Sequence, residues 1–504
     1  MAKKINIDPV TRIEGHLAVS VEVDDGRVTQ AYCKGEMFRG FEAILKGRDP
    51  LDAQQITQRI CGVCPISHGI ASVLAQDQAY SIVPAENGRL VRNLILGANF
   101  IQSHIIHFYH LSAVDFVDLT AITQYHGKDD ALLEFKAWVL AQQTAGGLFP
   151  AAPFLPRMEG HYLEDKDANI TAVSNYLLGL KMRALAQQMA TLFAGKMPHA
   201  AAIIPGGVTE HVTARKIAAY ADMLHTLTTF IDHHYLTDVQ AVAAAFPDYF
   251  NIGKGCGNYL AYGAFPETDD RKKLFLPSGV LVQGKPMALD ISRINEDVGH
   301  SYYKSPSGLA PAQGHTEPDP GKQQAYSWIK APRYNGLVME VGPLARVMVM
   351  LQKGDSPELN KMVARLTQPL GRGPEALDSA LGRHAARALE CKLVADRCAQ
   401  WLDQLKPDAP SYTDFEIPAS GSGVGLNEAP RGALGHWLAI EGHKIAAYQC
   451  VVPTTWNCSP RDDKGHPGAV EQALAGTPIA DPANPIEAAR VVRSFDPCIA
   501  CAVH

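Results

Sequence analysis

Arg59-Ile60-Cys61-Gly62-Val63-Cys64-Pro65-Ile66-Ser67-His68-Gly69 near one end, and Asp496-Pro497-Cys498-Ile499-Ala500-Cys501-Ala502-Val503-His504 at the other, decide how this chain folds. Each is a C-x-x-C pair with a histidine downstream, and more than 430 residues separate them. Neither pair completes a four-thiolate metal site alone, so the fold is expected to bring both termini to one buried cluster. Cys61 and Cys64 fall at or just before a helix start, with Pro65 in its first turn and Ile66, Ile70 and Val73 as its apolar stripe. At the other end Asp496 is expected as N-cap and Pro497 as first helical residue, placing Cys498 in the first turn, where free N–H groups favour a thiolate. Four such thiolates suit zinc, an iron–sulfur cluster, or nickel with iron. A structural zinc site is the plainest reading of the cysteines. The great separation of the pairs, and the extra Arg59, Gly62, His68, Asp496 and His504, count against it.

The rest of the chain bounds the reading. At 504 residues it has length for about three domains, yet paired termini and the lack of a clear linker argue for a single domain over 1–504. Hydrophobic residues make up 46% and charged residues 19%, with a net charge of −6 and a mean hydropathy of −0.08. This describes a globular protein without the basic surface that nucleic acid or an anionic membrane requires. The N-terminus has two lysines but no apolar core of a secretory signal, and no apolar run is long enough to span a bilayer. Ten cysteines are too few for a disulfide scaffold, and the six outside the pairs read as isolated buried thiols.

Periodicity predicts a mainly α fold with a minor β part. Residues 16–34 alternate as a hairpin around Asp24-Asp25-Gly26, so about 1–50 is the β-containing segment and 51–504 is mainly helical. One long helix is expected from Pro84 to about Asp118, others around Leu178–Leu192 and over 214–246, and Ala- and Leu-rich helices at 358–405 and 433–447. Residues 248–345 suit irregular structure or short strands; 406–432 and 452–487 read as loops.

The two cysteine motifs resemble the signature motifs of nickel–iron hydrogenase large subunits. Arg12-Ile13-Glu14-Gly15-His16, Arg39-Gly40-Phe41-Glu42, Gly195-Lys196-Met197-Pro198-His199, Ala429-Pro430-Arg431-Gly432 and Val452-Pro453-Thr454-Thr455-Trp456-Asn457 extend the resemblance along the whole chain, in family order. It implies the large-subunit fold and reversible heterolytic cleavage of H2, with electrons passed to a small subunit that alone holds iron–sulfur clusters. Cys61, Cys64, Cys498 and Cys501 would bind nickel, with Cys64 and Cys501 bridging to an iron that carries one CO and two cyanides. Cys498, a terminal ligand, is the expected proton acceptor, and being cysteine it excludes the selenocysteine variant. Arg431 would sit over the open metal position paired with Asp496, and Glu14 would relay protons. His68 would hydrogen-bond a bridging sulfur. Pro430, Val452, Pro453 and Thr454 would line the diatomic ligands, with Thr454 and Arg431 each donating to a cyanide.

Glu42, His504 and the carbonyl of Cys450 match the ligands of a separate magnesium ion. Some family members carry Asp where this chain has Ser103, which leaves the arginine one carboxylate fewer. His104, His107 and His110, though at helical spacing, read as core residues. The resemblance also implies an obligate heterodimer, a membrane cytochrome or soluble electron carrier, nickel-insertion chaperones, and a maturation protease that removes residues encoded after His504. Export to the periplasm would use the partner's signal, with a cytoplasmic location as the alternative. A hydrogen sensor of the same family, a structural subunit like the related one of respiratory complex I, and a zinc protein are the competing readings; the complex I relative lacks the four cysteines.

Overall fold

The computed structural model describes residues 3–145, 158–354 and 356–504. Helices take 46% of the chain and strands 19%, so the fold is mainly α with a minor β part. The N-terminal strands Lys3–Ile7, Leu17–Asp24 and Arg27–Gly35 form an antiparallel sheet in that order. Leu17, Val19 and Val21 are fully buried, as the alternation requires, and Asp25 and Gly26 turn the hairpin with positive φ.

Helix Pro65–Tyr80 starts one residue after Cys64, as Pro65 predicts. It is buried on nearly every side because strand Ser420–Ala429 lies directly on it. A Cβ on Gly423 or Gly425 would come within 1.9 and 1.8 Å of the Ala75 and Ala71 carbonyl oxygens. Only glycine permits that approach of strand to helix.

The expected long helix after Pro84 is Glu86–Ile106, continued by a wider π turn, His107–Ser112, and a short 3-10 turn, Ala113–Asp115. Lys166–Ala194 is one helix, and 214–246 is helical with its own π turn at Ile231–Tyr235. The 358–405 stretch is two helices, Pro357–Thr367 and Ala380–Gln404. Short strands fill 248–345 as expected.

Three expectations fail. Residues 433–447 are not helical: Ser420–Ala429, Gly432–Glu441 and Lys444–Val451 make a three-stranded antiparallel sheet, which also cuts the expected loop over 406–432 back to 406–419. The middle strand is buried on both faces along most of its length. A strand covered on both sides shows no alternation, and its Leu/Ala content then looks helical. Residues 452–487 contain helices Pro453–Asn457 and Ala469–Leu474. Finally, the last helix is Ile499–Ala502 with Cys498, not Asp496, at its N-cap; Asp496 has φ +56° and turns its carboxylate elsewhere.

The two chain ends run side by side. Glu14 N–H donates to Pro497 O at 3.3 Å and Ile499 N–H to Glu14 O at 2.7 Å. Gly15 is needed there: φ is +82° and a Cβ would lie 2.7 Å from Ala500 N. Asp115 fastens both ends from the π-turn side. Its carboxylate accepts from Arg12 and from Arg493 at 2.8 Å, and Arg493 also donates to Thr11 O at 2.9 Å.

Candidate metal centre and its surroundings

The ladder between the ends delivers the four cysteines to one point. Their sulfurs lie within 4.8 Å of one another and all four residues are buried. Cys61 Sγ is 3.4 Å from Cys498 Sγ, Cys64 Sγ 3.3 Å from Cys501 Sγ, and Cys498 Sγ 2.8 Å from Cys501 Sγ. Cys61 also accepts from Val63 N at 3.2 Å. Hydrogen bonds from the other three thiols hold Cys61 well below the usual thiol range, while burial pushes Cys498 and Cys501 well above it. One thiolate among neutral thiols is what a dry pocket tolerates. Cations bound there would release the remaining protons.

Cys498 Sγ donates to Glu14 Oε2 at 3.1 Å, and Ala500 N–H donates to the same oxygen at 3.0 Å. Burial, then the Cys61 charge, raises the pKa of Glu14. Thr454 Oγ1 takes the capping role expected of Asp496, accepting from Cys498 N–H at 3.0 Å. That leaves its hydroxyl proton free to donate. Pro430, Val452 and Pro453 are buried, as lining residues must be.

Arg431 occupies the tight turn between strands Ser420–Ala429 and Gly432–Glu441. Its Nη2 lies 2.9 Å from Asp496 Oδ1 and both side chains are buried. Burial works against its charge, but Asp496 and then the sulfurs of Cys498, Cys64 and Cys61 raise its pKa above the ordinary value. Arg431 Nε and Nη1 have no acceptor among the described residues. A buried guanidinium with two unmatched donors beside four cysteine sulfurs fits a metal group that carries acceptor ligands of its own.

His68 Nε2 is 3.4 Å from Cys501 Sγ, its Nδ1 is 3.2 Å from His436 Nε2, and His436 Nδ1 is 2.8 Å from Tyr448 Oη. Burial pulls His68 down to about 4, so the ring is neutral. With the Tyr448 hydroxyl donating to His436 Nδ1, the chain would leave His68 Nε2 as the N–H that faces the sulfur. His436 lies inside, and Tyr448 one residue beyond, the stretch 433–447 that reads as helix, so neither was paired with His68 from sequence.

Glu42, Cys450 and His504 form a second cluster, in which a Glu42 carboxylate oxygen, the Cys450 sulfur and a His504 ring nitrogen lie within 4.8 Å of one another. His504 Nε2 is 3.1 Å from Glu42 Oε1, and Cys450 N–H donates to that oxygen at 2.7 Å. Lys330 Nζ lies 3.3 Å from Glu42 Oε2, 3.0 Å from Gln449 Oε1 and 3.6 Å from Glu296 Oε2; Thr316 also donates to Glu42. Burial opposes the Glu42 charge, but Lys330 and then His504 outweigh it and hold the carboxyl below its usual range. Burial pushes the Cys450 thiol well up, so its sulfur is neutral. Oxygen donors with one imidazole suit a hard cation. Sequence reasoning missed Lys330, Glu296, Thr316 and Gln449, whose only signal is charge or polarity in apolar surroundings.

The remaining residues stand as follows. Ser103 is fully buried and its hydroxyl has no partner among the described residues. His104 bonds Glu390 at 2.9 Å, His107 bonds Arg493 O at 2.7 Å and His110 bonds Tyr176 O at 3.1 Å, the core roles expected of them. The six other cysteines are not all isolated: Cys458 lies near enough to Cys33 to push the Cys33 thiol well up, together with burial, and Cys256 is only partly buried.

Residues 39–504 match the family model of nickel-dependent hydrogenase, and residues 4–34 match a model described as HoxL-like. The chain is 43% identical to the periplasmic [NiFeSe] hydrogenase large subunit of Desulfomicrobium baculatum, covering 99% of this chain and 95% of the relative. It is 36% identical to the hydrogenase-2 large chain of Escherichia coli, covering 100% of this chain and 97% of the relative. The Ni-Fe-Se hydrogenase of D. vulgaris Hildenborough in the reduced state superposes with a TM-score of 0.90 at 42% identity over the whole of both chains. The chain belongs to the nickel-dependent hydrogenases, as a large, catalytic subunit. It catalyses H2 oxidation at a nickel–iron centre, in a family whose large subunits pair with an iron–sulfur small subunit. Two of these relatives bear selenium in their names; this chain has cysteine at all four ligand positions.

Proposed function

We propose that Cys61, Cys64, Cys498 and Cys501 hold nickel and iron, with Cys64 and Cys501 shared between the metals and the iron carrying one CO and two cyanides. The metals supply the site at which H2 is split; the protein supplies ligands, a proton route and a dry, polar lid. The observation that carries this reading is the single contact that a structural zinc site has no use for: the Cys498 thiol donating to Glu14 at 3.1 Å. A proton leaving Cys498 Sγ passes to Glu14 Oε2, and the Ala500 N–H on the same oxygen holds the carboxylate in line. Arg431 and Thr454 offer free donors to cyanide nitrogens, Asp496 keeps Arg431 aimed, and Pro430, Val452 and Pro453 exclude water around the diatomic ligands. His68 steadies the shared sulfur of Cys501. Glu42, His504 and the Cys450 carbonyl would hold magnesium next to the last helix.

The interleaving of both ends at one cluster supports one domain over 1–504. The periplasmic relative favours export with the small subunit. A cytochrome or soluble electron carrier, insertion chaperones and a maturation protease follow from the family resemblance alone. The test is metal analysis of the purified heterodimer together with infrared spectroscopy. One nickel and one iron in the large subunit, with one CO and two cyanide bands, is the expected result; a zinc-only site without those bands refutes the reading.

A further inference from the structure

Away from the cysteines lies a cavity of about 660 Å³, a size typical of small-molecule sites. It is bounded by helices Pro65–Tyr80 and Glu86–Ile106, the segment 262–291, and the outer edge of strand Ser420–Ala429, which pairs on one side only. Part of the lining is apolar, with Leu74, Leu96, Phe265, Leu274 and Ile291 on it. Three guanidiniums also line the cavity. Arg89 is paired with Asp269 at 2.7 Å and Arg92 with Asp77 at 2.6 Å. Arg271 has no carboxylate within ion-pair distance among the described residues; its one hydrogen bond runs to Leu426 O at 3.0 Å. Asp290 at the cavity is already engaged, accepting from Ser292 N at 3.1 Å and Arg293 Nε at 3.1 Å. With Asp290 paired to Arg293 outside the cavity, Arg271 is the one lining guanidinium left without a carboxylate of its own. Burial, then the neighbouring Arg92, pull Arg271 down to about 10 against the charge of Asp77, which is itself paired with Arg92, so Arg271 stays charged at neutral pH with no carboxylate bonded to it. Asn427, buried next to Leu426, has an Nδ2 with no acceptor among the described residues.

We propose that this cavity binds a single-chain amphiphilic carboxylate, its anionic head on Arg271 and Asn427 and its alkyl chain against the apolar part of the lining. One guanidinium without a carboxylate suits a monoanion; a phosphate dianion would bring a second negative charge toward Asp77 and Asp269 with nothing to match it. A peptide strand added to the sheet edge is disfavoured because Val424 N–H already donates to Gln78 at 2.6 Å and Leu426 O already accepts from Arg271.

The experiment titrates decanoate, and decanol as its neutral counterpart, into the nickel-loaded heterodimer by calorimetry. Saturable one-site binding of decanoate is expected, with decanol at least tenfold weaker. Arg271→Met and Asn427→Leu should each weaken decanoate by at least tenfold and leave decanol unchanged. Neither residue touches the metal centre, so wild-type H2 oxidation certifies that each variant is folded, and Asn427→Leu carries the test if Arg271→Met fails to assemble. No saturable decanoate binding to the heterodimer, decanol binding as tightly as decanoate, or a folded variant that binds decanoate like wild type each overturns the proposal.

Discussion

At the scale of single residues, the metal site is a charge problem solved by metals. Four buried thiols share a pocket where only Cys61 is held in its anionic form by its neighbours. Replacing Cys61 or Cys498 with Ser puts a hard, poorly acidic alcohol where a soft thiolate is needed. Either variant should lose nearly all H2 oxidation and most of its nickel, measured by metal analysis; a nickel-loaded, fully active Cys61→Ser enzyme contradicts the ligand assignment. Glu14→Gln keeps the acceptor for Ala500 N–H but cannot cycle a proton. Loss of a positioned acid or base costs roughly 10²–10⁴-fold in rate. H2 oxidation and H/D exchange should both fall by that order while nickel and iron content stay at the wild-type level. Wild-type exchange in Glu14→Gln would place the proton route elsewhere. Much of this was legible in the sequence, because ligands and the carboxylates beside them sit in short local motifs. The cap on the last helix was not. Asp496 has the right identity for a cap, but its carboxylate is drawn to Arg431, and Thr454, 44 positions before Cys498, takes its place. Local propensity cannot register a competing partner so distant in sequence.

At the scale of elements, Arg431 is only as well aimed as the turn that bears it. Arg346, fully buried, donates to Ala429 O at 3.0 Å and Pro430 O at 2.9 Å, the two carbonyls just before Arg431. It is held in turn by Glu390 at 2.5 and 2.7 Å and Glu428 at 2.6 Å. Arg346→Met should therefore displace Arg431 without touching a ligand, lowering H2 oxidation by about 10- to 100-fold. Nickel would be retained and any cyanide infrared bands would shift. Unchanged bands and rate would mean that the turn holds itself. The same buckle carries a pH signature. Burial raises Glu428 from 4.5 to about 7 despite Arg346. A raised carboxyl keeps its proton in the folded state when the unfolded chain has lost it. Its contribution is thus most favourable below pH 4.5 and declines as pH rises toward about 7, by ~3 kcal/mol in all. Glu428→Gln removes that decline. The thermal inactivation midpoint of the variant should vary less between pH 5 and 8 than that of wild type; Glu471, also raised to about 7, preserves part of the slope. An identical pH profile would show that Glu428 titrates normally. The sheet that holds this turn was illegible in the sequence. Its middle strand is covered on both faces, so alternation, the one local sign of a strand, is absent. The N-terminal hairpin, with an alternating pattern and an Asp-Gly turn, was legible for the opposite reason.

At the scale of the whole molecule, the site exists only because the two ends of the chain are locked together. The ladder between Glu14 and residues 497–499 is two hydrogen bonds long, too little alone to order two termini against their conformational entropy. The lock is Asp115. Its carboxylate is buried, faces Arg12 from the N-terminal segment and Arg493 from the helix that leads into the last cysteines, and is held below its usual pKa range by both charges against the cost of burial. Removing one partner of a buried ion pair leaves the other charge uncompensated, which costs about 3–5 kcal/mol. Asp115→Ala strands two guanidiniums at once. Asp115→Asn keeps the shape and an acceptor but halves the logic of the lock, since neutral oxygen cannot balance two cations. The Ala variant should therefore lower the thermal inactivation midpoint and, more tellingly, release nickel faster to a chelator than wild type, because the segments that open are those bearing Glu14, Cys498 and Cys501. Asn should fall between. A control that weakens a buried ion pair remote from the ends, Arg333→Met against Asp462, should lower the midpoint without speeding nickel release. Equal nickel release from Asp115→Ala and wild type would show that the metals alone, and not the protein's ends, keep the site closed.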